Sequence, residues 1–111
     1  MNGLFVELSD VVGTAYWTFA SGNWDGKNYW CEDSIFIHDD DMFSSGFVDI
    51  VLEVIPDCDP PGVIKISKRQ RMEIYEKSIT EGELAGQLVR CAEPWIMENF
   101  QKYDAFYILG V

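Results

Sequence analysis

The sequence predicts a single α+β domain in which a small, mostly antiparallel sheet packs with about three or four helices. Three observations carry that expectation. Short runs of β-branched and aromatic residues recur, as in Ile35-Phe36-Ile37 and in Ala105 to Leu109. Apolar residues at helical spacing follow polar capping residues, most clearly after Ser67 and after Thr80. The 111 residues leave room for one core, and 48% apolar with 14% aromatic residues can fill it. A two-domain enzyme with separate cofactor and substrate domains does not fit this length.

In chain order, Leu8, Val12, Ala15 and Phe19 fall on one stripe of a helix that Ser9 or Asp10 can cap, with Gly13 weakening it. Ser21-Gly22-Asn23 ends that segment, and Asp25-Gly26 beside Asn28 marks a tight turn before Tyr29-Trp30. Ser34 to His38 reads as a strand running into a loop made of Asp39, Asp40 and Asp41. Phe47 to Ile55 carries two patterns. Phe43, Phe47, Ile50 and Val54 match a helical stripe, while Val48, Ile50, Leu52 and Val54 alternate with Asp49 and Glu53; the β-branched residues favour a strand. Pro56 ends it, and Val63 to Ile66 follows the 56–62 loop as its hairpin partner. Ser67 and Gln70 form a capping box for a helix over 68–78, and Thr80 with Glu83 forms a second. In the helix that follows, Leu84, Leu88, Cys91 and Trp95 form the inward stripe, Glu83, Arg90 and Glu93 lie opposite, and Pro94 should kink it or start a new helix. Ala105 to Leu109 closes the chain as a strand.

Charge narrows the function. Nineteen Asp and Glu against eight Lys and Arg give a formal net charge of −11. Direct binding to nucleic acid or to an anionic membrane is thereby disfavoured, because both need clustered cations. The charge is also one-sided. Up to residue 62 only Lys27 offsets Glu7, Asp10, Asp25, Glu32, Asp33, Asp39, Asp40, Asp41, Asp49, Glu53, Asp57 and Asp59, whereas cations and carboxylates balance from 63 onward.

His38 is the only histidine, so two-histidine mechanisms and HExxH zinc sites are excluded within the chain. Its expected role is local, capping or hydrogen bonding at a strand end. No GxSxG elbow, GxGxxG turn or GxxxxGK[ST] loop is present, and neither HDDD at 38–41 nor DCDPPG at 57–62 matches a calcium-loop pattern. No cofactor, no metal and no enzymatic activity is therefore expected. A small enzyme using His38 beside Asp39 is the weaker rival, and it requires a deep pocket there. Cys31, Cys58 and Cys91 have no CxxC spacing and read as reduced thiols. The start of the sequence lacks a basic leader and no segment has the ~20 apolar residues of a bilayer span, so a cytoplasmic location is the expectation.

Recognition of a cationic protein uses more of the sequence. Trp24, Tyr29 and Trp30 stand among Asp25, Glu32 and Asp33; aromatics supply anchor area at an interface, and acids supply orientation and fast association. Trp30 fits core and interface equally well, while Trp24 beside Asp25-Gly26 is expected at the surface. The stretch SGNWDGKNYWCEDSIFIHDDDMF at 21–43, in a short acidic chain without a catalytic constellation, resembles the immunity proteins of bacterial contact-dependent growth inhibition systems. The resemblance implies a cytoplasmic protein that neutralises a cognate, cationic nuclease toxin domain by covering its active site. The toxin-binding candidates are Trp24, Asp25, Tyr29, Glu32, Asp33, Asp39, Asp40, Asp41, Asp57 and Asp59. A DNA mimic occupying a host nucleic-acid-binding protein is the alternative, and it needs carboxylates in rows along an elongated surface.

Overall fold

The computed structural model describes residues 5–11, 15–24, 26, 34–56 and 62–110. Among these residues five strands form one sheet: β1 (Phe5–Val6), β2 (Tyr16–Ala20), β3 (Ile35–His38), β4 (Val63–Ser67) and β5 (Ala105–Leu109). Their order is β1-β3-β2-β5-β4, and every neighbouring pair is antiparallel. The described residues also form four α-helices, α1 (Asp39–Ser44), α2 (Phe47–Val54), α3 (Lys68–Glu81) and α4 (Glu83–Lys102), and a 3-10 turn at Leu8–Asp10. The α+β expectation, with a small antiparallel sheet, holds.

The register fixes which strand residues share a face. Phe19 lies opposite Ile35 and Ile108, and Trp17 opposite Ile37, so these side chains point the same way. That face meets the helices. Phe19 is fully buried, with ring contacts to Phe5 at 5.1 Å, Phe47 at 6.2 Å, Trp95 at 6.4 Å and Phe106 at 5.7 Å. The opposite face is also covered in its middle. Thr18, Ala20, Phe36 and Leu109 are buried there, and the Trp24 ring lies 5.4 Å from that of Tyr107.

Burial on both faces disguises a strand that the apolar spacing assigns to a helix. Tyr16 to Ala20 is the central strand, not the end of a helix, because a strand covered on both sides shows no polar alternation and its spacing to Leu8 is coincidental. Val12 of the proposed stripe lies outside the described residues. Phe47 to Ile55, expected as a strand, is instead helical over Phe47–Val54 despite its β-branched residues. Phe47, Ile50 and Val51 turn to the core on one helical face, and that packing outweighs local propensity. Gly46, at φ 81°, supplies the left-handed residue that separates α1 from α2. With α2 helical, β4 has no hairpin partner there and pairs with β5 instead.

The helices of the C-terminal half are nearer expectation. The Ser67–Gln70 capping box is present in both directions, at 3.2 and 2.9 Å. The Thr80–Glu83 box is not. Thr80 lies inside α3 and donates back to the Glu76 carbonyl at 2.9 Å, and Gly82 caps α4 without a side-chain bond. The inward stripe of α4 is shifted by one residue: Ala85, Leu88, Val89, Ala92 and Ile96 are buried, Cys91 and Trp95 are half-buried, and Leu84 is exposed. Small residues allow close approach to α3, since a Cβ on Gly86 would stand 3.4 Å from the Ser78 carbonyl oxygen. Pro94 starts no new helix; α4 runs through it.

Asn99 ties the end of α4 to the sheet. Its Nδ2 donates to the Ala105 carbonyl at 2.9 Å, and its Oδ1 accepts from the Gly22 N–H at 3.0 Å. Only glycine fits at 22, because a Cβ would stand 2.4 Å from Cβ of Tyr103.

Candidate acidic interface

Asp39, Asp40 and Asp41 do not form a loop. They are the first turn of α1, where three carboxylates meet the positive end of the helix. His38 makes the start possible. As the N-cap, its Nδ1 accepts the Asp40 N–H at 3.1 Å, which matches the local role expected for it. The Tyr16 ring packs edge-on against His38 at 5.4 Å.

The three carboxylates then differ in exposure. Asp39 is half-buried, accepts the Trp17 Nε1–H at 2.7 Å, and donates its backbone N–H to the Ala15 carbonyl at 2.9 Å, so it fastens α1 to the sheet. Asp40 is outermost, with its side chain 89% exposed and 3.7 Å from His38 Nδ1. Asp41 is half-buried, and Asp49 in the first turn of α2 is exposed. Among the described residues no Lys or Arg pairs with Asp10, Asp40, Asp41 or Asp49.

The C-terminal half treats charge differently. Lys68 meets Asp104 at 3.9 Å, Arg69 meets Glu73 at 3.7 Å, and Lys102 meets Glu98 at 3.9 Å. Arg71 and Glu93 form a largely buried pair, with Arg71 also 5.1 Å over the Tyr75 ring. Burial pulls the Arg71 guanidinium below its ordinary value, and Tyr75 opposes that shift. Among the described residues one ion pair, Lys77 with Glu53 at 3.6 Å, joins the two halves.

Of the sequence candidates, Asp39, Asp40 and Asp41 are together on one element. Trp24 is not with them. It is half-buried against Tyr107, toward the end of β2 remote from His38, since Tyr107 pairs with Ala20 while His38 pairs with Tyr16. Asp25, Tyr29, Glu32, Asp33, Asp57 and Asp59 lie outside the described residues, as do Trp30, Cys31 and Cys58. Gly62, the first described residue after Asp59, accepts the Gly110 N–H at 2.8 Å at the same end of the sheet as His38. The strands β3 and β4 there are three spacings apart, roughly 14 Å.

The sequence reading missed Phe43, which is 55% exposed at the end of α1. Its signal was ambiguous, because the Phe43, Phe47, Ile50, Val54 stripe marks all four as core. Among the described residues no group of three or more His, Cys, Asp or Glu side chains could hold a metal ion, and no helix is long and apolar enough to cross a membrane. No family model, no curated protein and no solved structure matches the chain.

Proposed function

We propose that this chain is a cytoplasmic immunity protein, acting without catalysis by binding a cationic nuclease toxin domain and covering its active site with the acidic face around α1. The observation that carries the reading is the contrast in charge pairing. Asp40, Asp41 and Asp49 sit on α1 and α2 with no Lys or Arg partner among the described residues, while the C-terminal half pairs most of its cations internally. Unmatched carboxylates on a fixed scaffold repel one another and attract a cationic surface, which speeds association and selects the partner. The resemblance of the 21–43 stretch to contact-dependent growth inhibition immunity proteins points the same way.

The shape favours this reading over a DNA mimic. Principal extents of 32 × 27 × 26 Å are those of a near-sphere, which suits a compact patch better than a row of phosphate-like charges. On this reading a large secreted protein with a basic C-terminal domain should be encoded immediately upstream, and the test uses that domain. Mixed with this chain, that domain should form a stoichiometric complex and lose nuclease activity. Absence of such a neighbour, or a domain that stays fully active with excess chain, overturns the reading.

A further inference from the structure

Phe43 differs from the apolar residues beside it. Met42, 1% exposed, carries the packing of α1 on the core, whereas Phe43 stands 55% exposed. The ring is nonetheless held. It packs edge-on against Trp17 with centroids 5.7 Å apart at 81°, and Trp17 is itself 1% exposed and bonded through Nε1 to Asp39. A six-residue helix has no stability alone, so α1 is set by these contacts, by the His38 cap and by the Ser45 hydroxyl donating to the Met42 carbonyl at 3.1 Å. Helical spacing places Phe43 beside Asp39 and Asp40, four and three residues back. A pre-set flat ring next to anionic groups has the chemistry of a nucleotide, whose base stacks while its phosphates meet cations.

We infer that Phe43 is the anchor of the acidic interface and occupies the base-stacking position of the nuclease cleft, with Asp40 and Asp41 meeting the cations that otherwise bind phosphate. This rests on the reading of the chain as a nuclease inhibitor. The partner surface is thus a cationic cleft with an apolar or aromatic wall, and binding excludes a single-stranded oligonucleotide from it.

The experiment titrates the upstream-encoded toxin domain, made catalytically silent, with wild type, Phe43→Ala, Phe43→Leu, Phe43→Tyr and Asp40→Asn at two salt concentrations. Phe43→Ala and Phe43→Leu should each weaken binding by about 10- to 100-fold with the salt dependence retained. Phe43→Tyr, which keeps the flat ring, should stay within about fivefold of wild type. Asp40→Asn should weaken binding less and flatten the salt dependence. A short single-stranded oligonucleotide should displace the wild-type chain. Phe43→Leu keeps apolar contact with Trp17, so its loss of binding with an unchanged melting temperature excludes mere unfolding of α1. If wild type binds and Asp40→Asn weakens it, but both Phe43→Ala and Phe43→Leu bind within twofold of wild type, or the oligonucleotide fails to compete, the inference is wrong while the inhibitor reading stands. If wild type does not bind at all, both fall.

Discussion

On α3 and α4, Lys68, Arg69, Arg71, Lys77 and Lys102 each stand beside a carboxylate, whereas on α1 and α2 Asp40, Asp41 and Asp49 face no Lys or Arg among the described residues. The difference is in how far the charges are removed from water. Arg71 and Glu93 are partly removed from water, so each depends on the other and the pair belongs to the packing. Asp40 is almost wholly in water and could change without disturbing a neighbour in the core. Asp39 is the exception that joins the two behaviours, since its carboxylate is spent on Trp17.

Substitutions can break or sharpen this contrast. The largest effect belongs to the C-terminal half, where Leu88→Ala at a fully buried position should cost about 3 kcal/mol in chemical denaturation and, on the proposed reading, leave affinity for the toxin domain unchanged in the fraction still folded. Arg71→Met should cost about 2 kcal/mol by stranding Glu93, again without altering the salt dependence of binding. Trp17→Phe tests Asp39, the carboxylate of the acidic half that serves the packing. It removes the donor to Asp39 and should cost about 1 to 2 kcal/mol while also weakening binding, because α1 loses its fastening. Smallest in stability is Asp40→Asn, which should stay within about 0.5 kcal/mol of wild type, measured by the same denaturation. A cost above about 2 kcal/mol for Asp40→Asn would erase the distinction.

How much of this was legible follows from where each segment sits. Val63 to Ser67 is an edge strand with Val63 and Lys65 in water and Ile64 and Ile66 buried, so its alternation declares it. Ser67 and Gln70 bond each other across one turn, a purely local signal. Tyr16 to Ala20 and Phe47 to Val54 owe their form to residues distant in sequence. The first is hidden by burial on both faces, the second by β-branched residues that tertiary packing holds in a helix. The Leu84 stripe failed for a related reason. Leu84 is large enough to look like core, yet the close approach of α3 favours Ala85 and Gly86.

The acidic site divides in the same way. The three consecutive Asp were visible as a cluster, but that they begin a helix depends on His38 as its cap, and that Asp39 is structural depends on a tryptophan 22 residues away. Phe43 was hidden because its spacing matches core residues. Only the packing of Met42 in its place shows that the ring faces outward.

On the proposed reading the acidic half is the contact surface and the neutral half its scaffold. Backbone amide shifts of the labelled chain, followed by NMR as the silenced upstream toxin domain is added, test it most directly. The largest changes should fall at 38–54, on α1 and α2, with the exposed faces of α3 and α4 near Met72, Ile79 and Leu84 unmoved. Changes concentrated on α3 and α4, with Asp40, Asp41 and Phe43 unaffected, would contradict it.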